Sequence, residues 1–218
     1  MLKYPCLVLD HDDTVVQSMK TLSYPFFIYI LSLFRPGQTI SLEDFVSDCH
    51  HVGFAPLCRN RFGFTEDELK KEHSMWMEYV LSHTPDPYPG IREILHRQRK
   101  EGGRICVVSH SSKENILRDY NAHFGLVPDA IYGWELPEEQ RKPHSYPLLN
   151  IMEKYQLQPE QLLMVDDMKL GVKMAQPLGV KTVYAGWSNM GVPEISREME
   201  ELCEYSFYDV TEFKEFLF

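Results

Sequence analysis

Uninterrupted apolar stretches at wide intervals dominate the pattern of this chain. Tyr4 to Leu9 reads YPCLVL, and similar runs recur at Ile105 to Val108, Leu162 to Val165 and Val180 to Tyr184, with a weaker one at Ala130 to Tyr132. Apolarity at successive positions, rather than at every second one, fits strands covered on both faces, as in a parallel sheet. Between these runs the apolar positions fall at helical spacing: Gly90 to Arg99 (GIREILHRQR, stopped by Gly102-Gly103), Ser112 to Phe124, Ser145 to Tyr155 and Lys169 to Leu178. Strand alternating with helix predicts an α/β fold. It is expected to be a Rossmann-like, doubly wound parallel sheet with its ligand crevice at the carboxyl ends of the strands.

The interval after the first strand breaks that alternation. Ser18 to Phe34, Ser41 to Cys49 and Thr65 to Leu81 all read as helices. Ser41 caps the second, and Thr65 with Glu68 forms a capping box for the third. The Pro-rich Thr84 to Gly90 (TPDPYPG) resists both helix and central strand and marks a return. The expected organisation is an α/β core over 1–16 and 84–218, with an inserted all-helical domain over 17–83. Within HHVGFAPLCRNRFGF, Gly53 and Gly63 suggest a loop-like, flexible passage, and Thr211 to Phe216 reads as a short peripheral helix.

Composition narrows the function classes. The 218 residues carry 22 Lys+Arg against 32 Asp+Glu, a formal net charge of −10, without a clustered basic stretch, so nucleic acid is not an expected partner. Tyr24 to Phe34 is the longest apolar run and is too short to span a bilayer, and Met1 to Asp10 lacks a charged start followed by an apolar stretch. Five scattered cysteines without a CxxC read as reduced thiols. A soluble, cytoplasmic protein with no membrane partner, monomeric or weakly dimeric, is expected.

The candidate chemistry sits where strands end. Asp10-His11-Asp12-Asp13-Thr14 follows the first run and Asp166-Asp167 follows Leu162 to Val165. Two like charges about 4 Å apart repel by roughly 4 kcal/mol at an effective dielectric near 20, so such clusters call for a cation or a shared proton. In a parallel sheet both pairs lie on one edge, and hard carboxylate oxygen ligands suit Mg²⁺. Ser109-His110-Ser111-Ser112 ends another strand, where a hydroxyl and backbone amides at a helix start can hold a phosphate oxygen. Lys142, before Pro143, can offset phosphoryl charge.

The order acid pair, hydroxyl, Lys, acid pair resembles the haloacid dehalogenase-like hydrolase superfamily. Four motifs carry the resemblance: DHDDT at Asp10 to Thr14, VVSHSS ending in Ser112, RKP around Lys142, and VDDMKLG at Val165 to Gly171. The helical insert resembles the type 1 cap of its phosphoglycolate phosphatase and β-phosphoglucomutase branch. The resemblance implies a Mg²⁺-dependent phosphatase of a small phosphorylated metabolite. Asp10 is then the nucleophile, forming an aspartyl phosphate, and Asp12 the general acid and base, whose backbone carbonyl also contacts Mg²⁺. Thr14 fixes the turn. Ser109, His110 and Lys142 bind phosphate. Asp167 is a metal ligand, with Asp166 a second ligand or an outer-shell acceptor. Asp13 stands where the family most often has Gly, and Gly171 where many relatives carry a further Asp. An acid two residues after the nucleophile disfavours dehalogenation, and Leu22 where β-phosphoglucomutases place a His favours hydrolysis over isomerisation. A phosphomutase, or a non-catalytic protein binding a phosphorylated ligand, is the alternative. For substrate choice the cap offers His50, His51, Arg59 and Arg61.

Overall fold

The computed structural model of the chain describes residues 2–188 and 191–218. The apolar runs form strands β1 (Cys6–Leu9), β2 (Arg104–Val108), β3 (Ala130–Tyr132), β4 (Leu162–Asp166) and β5 (Lys181–Ala185), joined by an edge strand β6 (Tyr205–Phe207). All neighbours pair in parallel, in the order β3-β2-β1-β4-β5-β6. The fold is a Rossmann-like, doubly wound parallel sheet with helical insertions. Three-residue β6, with no residue fully buried, is too short and too exposed to announce itself as an apolar run.

Because successive side chains of a strand point to opposite faces, each strand feeds two cores. Leu7, Leu9, Ile105, Val107, Leu163 and Val165 face one way, onto α5 (Ile91–Lys100), α6 (Lys113–Phe124) and α10 (Val210–Leu217) through Ile94, Leu95, Tyr120, Phe124 and Phe213. Cys6, Val8, Cys106, Val108, Leu162 and Met164 face the other way, onto α7 (Tyr146–Tyr155) and α8 (Lys169–Ala175) through Leu148, Ile151, Met174 and Ala175. Burial on both sides explains why the sequence shows no alternation. All five cysteines are free thiols.

The winding direction reverses between β1 and β4, and a crevice at the carboxyl ends opens at such a reversal. Leu9 is in register with Val165, and the ladder continues one residue further through Asp10 N–H to Val165 O at 2.8 Å. Asp10 and Asp166 are thereby set side by side.

The chain divides into two compact units: Met1–Gln17, Asp86–Asn189 and Ser196–Phe218 form one, and Ser18–Pro85 with Met190–Ile195 the other. The second unit holds α1 (Tyr24–Phe34), α2 (Leu42–His51), α3 (Phe54–Phe62) and α4 (Glu66–Ser82), around Phe26, Phe27, Ile30, Leu31, Phe45, Leu57 and Phe62. The predicted caps are present: Ser41 Oγ accepts from Asp44 N–H, and Thr65 with Glu68 closes a capping box. Glu68 also takes a bidentate pair from Arg35 at 2.8 Å, which holds its carboxyl down at about 2. The passage expected to be loop-like is helix α3. Its two glycines bracket the helix, Gly53 as N-cap at φ +90° and Gly63 as left-handed C-cap at φ +66°, so they mark ends and not flexibility. A further helix, α9 (Pro193–Leu202), was not among the sequence expectations. No helix among the described residues is long and apolar enough to cross a membrane.

One carboxyl of the helical unit is buried without an ion pair among the described residues. Burial raises Glu72, on α4, from 4.5 to about 7. The folded state therefore holds a proton that the unfolded state releases between those two values, so stability falls as pH rises through that window. Glu72→Met is expected to gain about 2 kcal/mol at pH 8, less than the full value of the shift because the carboxyl keeps some contact with water, and little at pH 4. Urea unfolding at the two pH values measures the difference.

Candidate active site

Three carboxylates meet at the reversal point. Asp10 leaves β1, Asp166 closes β4 and Asp167 follows it, and one oxygen from each lies within 4.8 Å of the others. Asp10 and Asp166 are buried, at 5 % and 1 % exposure. The ammonium of Lys142 is buried with them and donates to Asp10 Oδ1 at 2.7 Å and to Asp166 Oδ2 at 2.9 Å. Burial opposes the lysine's charge, but the two carboxylates outweigh it and hold the ammonium well above its ordinary range. Burial raises Asp10, and Asp166 and Asp12 add to the rise against the pull of Lys142. Asp167 is raised well above the usual carboxylate range by burial and then by Asp166, Asp13 and Asp10. One ammonium, bonded to two of the three acids, thus faces the whole cluster, and ionisation of all three would leave two negative charges without a counterion among the described residues.

Asp166 is fixed from two sides, since its Oδ1 also accepts Met168 N–H at 2.8 Å. Its carboxylate lies against the backbone of Gly171 on α8, so closely that a Cβ there would clash with Oδ2. The glycine at that position is what gives the Asp166 carboxylate its room.

Asp12 is placed differently. Its Oδ2 accepts from Ser111 Oγ at 2.6 Å and Ser109 Oγ at 3.3 Å, and its carboxylate is not part of the group of three. Ser109, after β2, is buried and also accepts Ser111 N–H at 3.1 Å. Ser111 escaped the sequence reading; the available signal was the hydroxyl spacing i, i+2 in Ser109-His110-Ser111. His110 keeps part of its surface in solvent, with its Nε2 3.2 Å from Lys142 O, and the partial burial of the ring together with Lys142 lowers its pKa.

The turn that carries Asp10 and Asp12 is held from behind. Asp13 sits at φ +56°, the left-handed region that Gly adopts freely and Asp tolerates. Thr14 is buried, and its carbonyl accepts Trp187 Nε1–H at 3.0 Å, with the indole stacked on Phe213. His11, at 1 % exposure, is paired through Nε2 with Asp119 Oδ2 of α6 at 3.0 Å. Burial works against its charge, but Asp119 and the surrounding acids keep its pKa above the usual imidazole range. Neither Trp187 nor His11 carried a sequence signal for this role: both contacts join segments more than a hundred residues apart.

In the helical unit, Arg59 is bound to Glu66 at 2.6 Å, and Arg61 to Asp48 at 2.7 Å and Asp44 at 3.0 Å. His51 Nδ1 is 2.8 Å from Ser47 O, and His50 is buried. Both guanidinium groups are engaged by acids of their own unit.

Residues 7–185 match the family model of haloacid dehalogenase-like hydrolases. A phosphoglycolate phosphatase of Nitrosococcus oceani is 28% identical over 208 residues, covering 88% of this chain and 89% of its own. A pyrophosphatase PpaX of Bacillus cereus is 22% identical over 198 residues, covering 85% and 84%. Among solved structures, a haloacid dehalogenase-like protein of Agrobacterium tumefaciens superposes with a TM-score of 0.77 at 16% identity over 96% of both chains. A protein of Haemophilus somnus described as a predicted phosphoglycolate phosphatase does so at 0.75 and 20% identity over 99% of both. At these identities the two structures speak for the fold.

Gly171→Ala separates the site's demand from helix propensity. In an open helix the change gains about 1 kcal/mol. Here the added methyl would meet Asp166 Oδ2 and lie 2.8 Å from Met164 Cε, so a net loss of about 2 kcal/mol is expected, read by urea unfolding. A stabilised variant would show that Asp166 is not held against α8.

Proposed function

The chain belongs to the haloacid dehalogenase-like hydrolase family, and from that premise we propose that it is a Mg²⁺-dependent phosphatase of a small phosphorylated metabolite, working through an aspartyl phosphate. The observation that carries the reading is the buried Lys142 ammonium bonded to both Asp10 and Asp166 with Asp167 in the same cluster.

The donor set fits the metal. Three carboxylate oxygens within reach of one another, with two negative charges left over once all three are ionised, match a hard divalent cation in number and kind. Asp10, Asp167 and Asp166 would hold it, with the backbone carbonyl of Asp12. Bound there, Mg²⁺ supplies charge neutralisation for a phosphate dianion that could not otherwise enter among acids.

The residues divide the reaction between them. A carboxylate oxygen of Asp10 attacks phosphorus, forming the P–O bond of the aspartyl phosphate as the bond to the leaving-group oxygen breaks. Asp12 gives its proton to that oxygen, then takes one from the water that cleaves the intermediate and returns Asp10 and inorganic phosphate. Ser111 and Ser109 hold the Asp12 carboxyl through their hydroxyls. Lys142 keeps Asp10 in place and opposes the charge gathering on the phosphoryl oxygens, while Ser109 and the 110–112 backbone provide donors to them. His110 is a phosphate contact from the same loop. In the helical unit, the ion pairs of Arg59 and Arg61 leave His50 and His51 as the better candidates for substrate recognition. The relatives point to small anionic substrates, phosphoglycolate and pyrophosphate among them.

Turnover of p-nitrophenyl phosphate and acetyl phosphate tests the reading. With Mg²⁺ the wild type is expected to turn over both, EDTA to abolish turnover, and Asp10→Asn to lower it by about 10³-fold or more. Equal rates under the three conditions would dispose of the proposal.

A further inference from the structure

Outside the machinery just described lies a cationic and aromatic patch. Arg141 precedes Lys142 in the chain, and its guanidinium carbon sits 3.9 Å from the centroid of the Trp134 ring. Its Nε donates to Leu136 O at 2.6 Å, so the side chain is pinned at two points. Its Nη groups meet no carboxylate among the described residues, in contrast to Arg59 and Arg61. Trp134 is 50 % exposed, and its indole stands nearly perpendicular to the His110 ring, centroids 6.1 Å apart.

Its contacts give the patch a definite side. Asp12 marks where the leaving-group oxygen must be, because that is the oxygen it protonates. Ser111 Oγ touches Asp12, Ser111 O accepts Trp134 N–H at 3.0 Å, and Trp134 carries Arg141. The backbones of these segments are locked together: Gly133 has no room for a Cβ against Ser111 O, and Glu135 accepts Lys113 N–H at 2.9 Å. His110, next to Ser109, carries the Trp134 ring against it and has its Nε2 3.2 Å from Lys142 O, so the patch borders the loop that follows β2.

A guanidinium held over an indole and tied by its Nε has already lost most of its freedom, so its open donors can take an anion at low entropic cost and in two-pronged geometry. We infer that Arg141, held on Trp134, is a second anion subsite on the leaving-group side, and that the substrates are phosphate esters or anhydrides whose leaving group bears another carboxylate or phosphate. The inference rests on the phosphatase reading and names the substrate class for it. Arg141 acts in binding and orientation and takes no part in proton or phosphoryl transfer.

The test compares wild type, Arg141→Met and Arg141→Lys, each with Mg²⁺, on three substrates. p-Nitrophenyl phosphate has no second anion, phosphoglycolate offers a carboxylate, and pyrophosphate a phosphate. The expected result is that Arg141→Met loses at least about 10-fold more kcat/KM on phosphoglycolate, on pyrophosphate, or on both than on p-nitrophenyl phosphate, chiefly through KM, with Arg141→Lys in between. Which of the two substrates shows the loss identifies the anion. Equal losses on all three substrates, or a wild type with no preference for the two doubly anionic ones, overturn the inference while leaving the phosphatase reading in place. A wild type inactive on all three overturns the phosphatase reading itself.

Discussion

The ammonium of Lys142, buried between Asp10 and Asp166, is the contact on which the rest of the site depends. A buried ion pair rarely adds net stability, because desolvation offsets the attraction, yet removing one partner leaves uncompensated charge and typically costs about 3–5 kcal/mol. Lys142 is therefore better understood through what it permits. It lets carboxylates gather at one strand edge without flying apart, and with all three ionised it still leaves the cluster two charges short of neutrality. That deficit is the physical basis for the proposed cation.

Placement follows from the backbone more than from the side chains. Parallel pairing in register, Leu9 with Val165, sets the two strand ends level, and the reversal of winding between β1 and β4 leaves that edge open. The ladder fixes Asp10 through its own N–H, and α8 fixes Asp166 by offering a glycine where a side chain would intrude. Asp13 at positive φ, Trp187 on the Thr14 carbonyl and the His11–Asp119 pair then hold the turn between Asp10 and Asp12 from behind. A rigid sheet edge thus carries groups whose mutual repulsion a flexible loop would relax by moving them apart.

The sheet and the acid clusters were legible in the sequence for one reason: strands buried on both faces write themselves as apolar runs, and acids at their ends stand out against them. Asp10 and Asp166 needed nothing further to be paired than the rule that parallel strands share an edge. What escaped was tertiary. Ser111 reaches Asp12, and Arg141 lies on Trp134, through loops whose course no periodicity encodes. Helix α3 was missed because glycines at both of its ends look like flexibility until their positive φ values show them to be caps. Arg59 and Arg61 looked available because the acids that engage them, Glu66 on one side and Asp44 and Asp48 on the other, lie on neighbouring helices.

The claim that Asp10, Asp166 and Asp167 form a divalent-cation site is tested most directly by calorimetric titration of Mg²⁺ into the protein without substrate. The account predicts a single-site isotherm for the wild type and at least about 10-fold weaker binding for Asp167→Asn, since a neutral amide supplies neither the charge nor the oxygen pair of a carboxylate. No binding to the wild type at millimolar Mg²⁺, or the same affinity in both proteins, would contradict it.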